Sequence, residues 1–268
     1  MSSGKPGAPA FDTRVAHQAR VYDYLLGGKD NYEADRAAVT AWLEIDPDLA
    51  FTARANRAFL GRCVRYLTAE AGIRQFLDIG TGIPTAGNTH QVAQAIVPQA
   101  RVVYVDYDPI VLAHARALLT SGESGATEYI DADVRDTGAI IDQASQLLDF
   151  TQPVAVTLLA LLHAIPDADN PQAIIDRLLN AVPSGSYLAI SHAGSDLLDQ
   201  DKHDSLMGVA DRMIQNKITY RGRDQLARFF AGTDLVEPGL VRVEEWRADP
   251  EASATEASTL WGALGRKR

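Results

Sequence analysis

The chain of 268 residues has room for one large α/β domain with an accessory segment, and 46% hydrophobic with 22% charged residues is ordinary for a globular protein with a full core. Its 25 lysines and arginines against 35 aspartates and glutamates give a formal net charge of −10, which lacks the electrostatic footprint for a phosphate backbone and argues against nucleic acid as substrate. The single cysteine, Cys63, excludes an internal disulfide and a multi-cysteine metal site, and no run approaches the ~18 apolar residues of a membrane span. With no signal-peptide core at its start either, a cytoplasmic protein is expected.

Residues 1–10 are small and rich in proline and glycine, the composition of a disordered tail. Residues 11–72 predict a helical cover. Val15, Ala19, Tyr22, Leu25 and Leu26 have helical spacing within 13–26, and Gly27-Gly28 ends that helix. Asp30 or Asn31 is placed to cap a second helix reaching residue 43. A third spans 51–71, with Phe59, Leu60, Val64 and Leu67 around Cys63, and Gly72 closes it. Three helices ahead of the first strand exceed what a bare α/β sheet requires, and such a segment often covers a ligand cleft.

Residues 73–268 then alternate strand and helix. Phe76, Leu77 and Ile79 form the apolar run of a doubly covered parallel strand at 75–79. Gly80-Thr81-Gly82 follows as a turn in which a Cβ would intrude on a ligand, and Pro84 suits the first position of a helix to residue 96. The second strand, 101–106, ends on Asp106, a carboxylate suited to both hydroxyls of a ribose, with Tyr107 next to it. Asp108 reads as an N-cap and Pro109 as the first residue of a helix over 109–119. Further strands are expected at 127–133, 154–159, 186–191, 235–246 and 258–264, and helices at 137–149, 171–181, 201–215 and 223–231. The whole predicts a Rossmann-like α/β fold: a mostly parallel seven-stranded sheet with helices on both faces.

Asp78-Ile79-Gly80-Thr81-Gly82, Asp106 at the end of strand two, and Asp131-Ala132-Asp133-Val134 after strand three resemble the ordered motifs of class I S-adenosylmethionine-dependent methyltransferases. Three stretches resemble, more narrowly, a bacterial family of such methyltransferases of unknown substrate. They are the run Arg-Val-Tyr-Asp-Tyr-Leu-Leu-Gly-Gly-Lys-Asp-Asn from Arg20 to Asn31, the turn from Gly82 to His90, and the closing segment from Gly262 to Lys267. The resemblance implies S-adenosyl-L-methionine as cofactor. It implies that Asp78, Gly80 and Gly82, with Thr81 between them, meet the methionine end, and that Asp106, beside Tyr107, holds the ribose. Asp133 would accept from the adenine amino group, the Val134 N–H would face a ring nitrogen, and Leu159 would line the cofactor. The family pattern often carries a further glycine where Pro84 stands, and its absence weighs against a seated pyrophosphate and hence against an NAD-dependent oxidoreductase.

His163 follows the fourth strand, where a methyl acceptor approaches, and its pKa range suits a general base; a structural bond at a strand end fits the same residue. His192, after the fifth strand, is a second candidate for facing the substrate. The strand exit lacks an Asn-Pro-Pro-aromatic run, which argues against methylation of a base or glutamine amide. Asn88 and His90 either reach the cofactor, brace the cover or serve the helix face. Scattered histidines and an adenine-reading role for Asp133 leave no metal site expected. Tyr22 and the glycine pair either pack the helices or form a lid over the methionine end. Methyl transfer to a small-molecule acceptor is the leading reading, with a non-catalytic cofactor-binding sensor as the alternative.

Overall fold

The apolar runs pair into one sheet. A computed structural model describes residues 12–118, 125–214, 217–248 and 256–268, so the expected tail at 1–10 lies outside the described residues. The strands β1 (Gln75–Ile79), β2 (Arg101–Asp106), β3 (Ala126–Asp131), β4 (Ala155–Leu159) and β5 (Tyr187–Ala193) lie parallel in the order β3-β2-β1-β4-β5. An antiparallel edge follows, made of β6 (Thr233–Leu235), β7 (Val241–Arg242) and β8 (Leu260–Lys267): β8 pairs with β5, and β6 and β7 each pair with β8. The sheet therefore has eight strands among the described residues where seven were expected. The strand expected at 235–246 breaks at Pro238-Gly239, because proline brings no N–H to a ladder and Gly239 turns with φ of +89°.

Because strand side chains alternate, Phe76 and Val102 face one layer and Leu77 and Val103 the other. The cover comprises α1 (Gln18–Leu25), α2 (Glu33–Leu43) and α3 (Leu49–Ala69). Within it α3 buries Phe59, Cys63, Val64 and Leu67 against the Phe76 face. The remaining helices are α4 (Thr89–Ile96), α5 (Pro109–Leu118), α6 (Thr137–Ala144), α7 (Pro171–Ala181), α8 (Gln200–Met213) and α9 (Arg223–Arg228). Val21, Val39 and Trp42 pack on Leu206 and Val209 of α8, so the cover is anchored on both the sheet and α8. Among the described residues no helix is long and apolar enough to cross a membrane.

Several boundaries differ from expectation. The first helix starts at Gln18 rather than 13, because Ala16 bridges Ile214 and the His17 N–H donates to Asp35 at 2.9 Å. Tyr32, not Asp30 or Asn31, caps α2, and its N–H donates to Asp35 at 2.8 Å. Pro84 does not open a helix. Residues 84–88 form a loop in which Gly87 (φ +77°) and Asn88 both donate backbone N–H groups to Gln91, so α4 begins at Thr89. Strand β5 runs two residues further than expected because β8 pairs with it through His192 and Ala193.

The Arg20–Asn31 stretch closes on itself. The Arg20 guanidinium, 2% exposed, pairs with the fully buried Asp35 at 3.1 Å. Asp23 Oδ2 accepts from the Asp30 N–H and the Asn31 side-chain amide, both at 2.9 Å. A Cβ on Gly28 would lie 2.0 Å from Asp23 Oδ1, and the buried Asp23 cannot swing aside without giving up both bonds. Gly28→Ala is therefore expected to lower stability by about 1–3 kcal/mol, the usual cost of overpacking. A thermal melt superimposable on the parent's would contradict this.

Candidate functional site

One cleft opens at the carboxyl ends of β1 to β4, roofed by α1. Such strand ends form the ligand crevice of an open α/β sheet. At the tip of β1, Asp78 is buried and accepts from the hydroxyls of Thr89 and Thr157, each at 2.6 Å. Burial pushes its carboxyl above the ordinary range, with the two hydroxyls opposing. Gly80 turns at φ +74°, and a Cβ there would sit 2.6 Å from Leu161 Cδ1, so the β1 turn and the β4 exit meet through a residue without a side chain. The Thr81 hydroxyl bonds the Tyr129 hydroxyl at 2.9 Å.

Asp106 ties the first two strand exits together. Its Oδ2 accepts the Gly82 N–H at 2.9 Å, and its Oδ1 accepts the N–H groups of Tyr107 at 2.8 Å and Asp108 at 3.0 Å. Desolvation at the strand tip raises its carboxyl, with these donors opposing. Asp108 caps α5 through the Ile110 N–H at 2.8 Å and pairs with His17 Nδ1 at 2.7 Å, docking the cover on the β2 exit. Burial would raise Asp108, but the bond and charge of His17 hold it below the ordinary carboxylate range.

After β3, Asp133, Val134 and Arg135 line the cleft, with Arg135 bridging Asp133 at 2.6 Å and Asp169 at 2.8 Å. Tyr107 and Leu159 line it too. Overhead, the Tyr22 hydroxyl donates to the Ala53 carbonyl at 3.0 Å and accepts from the Asn56 amide at 2.9 Å. Asn56 Oδ1 accepts from the Ser191 hydroxyl at 2.6 Å, and Ser191 Oγ accepts the Ala160 N–H at 2.9 Å. Tyr22 is thus wired through α3 to the tips of β4 and β5.

The two histidine candidates separate. His163 lies in a short 3-10 turn, Leu162–Ala164, and lines the cleft with Nε2 against the Gln18 side-chain amide. Burial, then the nearby Arg221 charge, pushes its pKa down to about 4, so the ring is neutral at physiological pH. His192 was the second candidate for facing the substrate, and the structure turns it away from the cleft. It is fully buried within β5, Nδ1 donating to the Ala193 carbonyl at 2.9 Å and Nε2 accepting from Arg221 at 2.8 Å. His90 is likewise turned inward, bonded to the Tyr104 hydroxyl at 2.8 Å. Asn88 does line the cleft, and its Oδ1 accepts from Arg57 at 2.6 Å.

Three residues with direct bearing on the site gave no signal in the sequence. Arg57 on α3 lines the cleft, and its Nε is buried without a hydrogen-bond partner. Gln18 reaches His163 across 145 positions of chain. Arg221, 2% exposed, donates to the carbonyls of Leu162 at 2.9 Å and Ile165 at 2.7 Å and to Asp167 at 2.7 Å, fixing the loop that carries His163.

A glycine turn after β1, a carboxylate ending β2 and another after β3, on this strand order, define the class I S-adenosylmethionine-dependent methyltransferase fold. The chain belongs to the S-adenosyl methyltransferase family, which it matches over residues 5–268. It is similar to a DUF574 family protein from Streptomyces avermitilis, with 43% identity over 96% of this chain and 99% of that one and a TM-score of 0.91. It is also similar to a candidate methyltransferase from Thermobifida fusca, with 38% identity over 96% of each chain and a TM-score of 0.85. A methyltransferase from Anabaena variabilis shares the fold at 13% identity, covering 87% of this chain and 95% of that one, with a TM-score of 0.54. No curated protein matches in sequence. The protein is a methyltransferase whose cofactor is S-adenosyl-L-methionine.

The residues present fit that group. The orphaned Arg57 Nε suits a carboxylate, and Gly80 and Gly82, both at positive φ, leave the turn's backbone uncovered in the lining. The acidic tips of β1, β2 and β3 suit an amino group, a diol and an adenine amine.

Proposed function

We propose that the protein transfers a methyl group from S-adenosyl-L-methionine to a small-molecule acceptor presented to His163. The single observation that carries this reading is the placement of His163 in the lining of the cleft at the β4 exit, beneath a helical roof. In this reading Asp78 takes the methionine amino group and Arg57 its carboxylate, while Gly80, Thr81 and Gly82 supply the close backbone. Asp106, beside Tyr107, holds the ribose hydroxyls; Asp133 and the Val134 backbone read adenine; Leu159 and Tyr22 enclose the group from below and above. The bound cofactor supplies a methyl already activated on a sulfonium, so the chain's main task is alignment.

His163 adds a proton acceptor. Kept neutral by burial, it offers a ring nitrogen to the acceptor's O–H or N–H as that proton becomes acidic during attack. Gln18 holds the ring in place until the acceptor's protic group takes over its contact. The cleft's enclosure by the cover and the acidic surface both favour a small molecule over a nucleic acid.

The reading is tested by following S-adenosylhomocysteine release across a panel of small hydroxyl and amine compounds. With an active acceptor, His163→Ala is expected to lower kcat about 100- to 10,000-fold and to leave S-adenosylhomocysteine affinity within about threefold. Undiminished turnover would remove the histidine from the chemistry. Cofactor binding with no release on any acceptor would favour the sensor.

A further inference from the structure

The His163 end of the cleft differs in chemistry from the cofactor end. Leu25 and Trp42 of the cover, Leu49 at the start of α3, Ile165 after the His163 turn, and Ile218 and Tyr220 ahead of α9 wall it. The Thr219 N–H donates to the His163 carbonyl at 2.7 Å, which seats residues 218–220 against the histidine turn. The Trp42 indole N–H is spent on the Leu206 carbonyl at 3.1 Å, leaving the ring as an apolar wall. Leu25, Leu49 and Ile218 pack into the same cluster as Trp42.

None of these six side chains carries a charge. The charged groups of the cleft are Asp78, Asp106, Asp133, Arg57 and Arg135, at the exits of β1 to β3 and on the face of α3 beside them, and His17, which is paired with Asp108 at the β2 exit. Burial, then the nearby Asp46, pushes the Tyr220 phenol up to about 12, so it stays protonated. Asp46 itself is bonded by Lys202 at 2.8 Å and is not part of the lining. The Arg221 guanidinium behind the histidine turn is likewise outside the lining and is taken up by Asp167, His192 and the Leu162 and Ile165 carbonyls. A charged acceptor seated here would lose hydration with no free counter-charge in the lining to replace it, whereas a flat apolar one would gain aromatic and aliphatic contact.

We propose that the methyl acceptor is an uncharged, flat and predominantly apolar molecule, held against Trp42, Ile218 and Tyr220 with one protic group turned to His163. This rests on the methyl-transfer reading above. The test is calorimetric and uses the full chain, first titrated with S-adenosylhomocysteine and then, saturated with it, with naphthol, naphthoate and naphthylmethylammonium. Naphthol is expected to bind at least about tenfold more tightly than either ion. Ile218→Lys is expected to reverse the order of naphthol and naphthoate. Equal or tighter binding of either ion by the parent protein, or no binding of any probe, would overturn the inference alone. Failure of the first titration would overturn the methyl-transfer reading and this inference with it.

Discussion

Asp106→Ala is expected to weaken S-adenosylhomocysteine binding on the order of 100-fold or more, since two hydrogen bonds to a charged group at about 1.5–3 kcal/mol each are lost with the ribose. The carboxylate does two jobs. In the proposed reading it accepts from the ribose diol, and in the structure it accepts the Gly82, Tyr107 and Asp108 N–H groups that hold the β1 and β2 exits in register. Removing it releases the glycine turn as well as the sugar contact, so the loss exceeds that of a surface hydrogen bond. Asp106→Asn keeps one acceptor oxygen but not the charge, and is expected to fall between parent and Ala. Calorimetry with S-adenosylhomocysteine reads all three proteins. An Ala variant within threefold of the parent would remove Asp106 from the cofactor site.

Arg221→Met is expected to lower stability by about 3–5 kcal/mol, since three buried acceptors lose their donor at about 1–3 kcal/mol each. That corresponds to a Tm lower by roughly 10 °C for a chain of this size. The ion pair with Asp167 is the lesser part, because the Asp167 side chain is 72% exposed and rehydrates once its partner is gone. The larger part lies in the Leu162 and Ile165 carbonyls and in His192 Nε2, which lose their donor where water is excluded. Arg221→Lys is not expected to rescue, since one ammonium cannot reproduce the planar fork that spans these acceptors. The loop so released carries His163, and kcat is expected to fall with Tm. A melt within about 3 °C of the parent would show that the network contributes little.

The glycine turn and the carboxylates at the strand exits were legible in the sequence because they are local. A strand of Phe76, Leu77 and Ile79 must end where Gly80 and Gly82 turn, and a β-branched strand ending at Asp106 brings a carboxylate to the same sheet edge by parallel pairing alone. The Asp108 cap was legible for the same reason: an acid before proline and an apolar run has one local use. Pro84 misled because its local preference for a helix start yielded to Gly87 and to the Asn88–Gln91 cap a turn later. His192 misled because where β5 ends is decided by β8, whose pairing carries the strand through His192 and turns that ring to Arg221.

By itself, then, the sequence determined the alternation of strands and helices, the glycine turn and the acidic strand tips, all products of short-range periodicity and backbone sterics. Tertiary structure alone decided which histidine faces the cleft and which charges stand beside it. Gln18 and His163, Arg57 and Asn88, and Arg221 and the carbonyls after β4 meet only once helices of the cover and a late segment fold over the sheet. Such contacts depend on burial and on partners 31 to 145 residues away. A side chain's own chemistry carries no record of either.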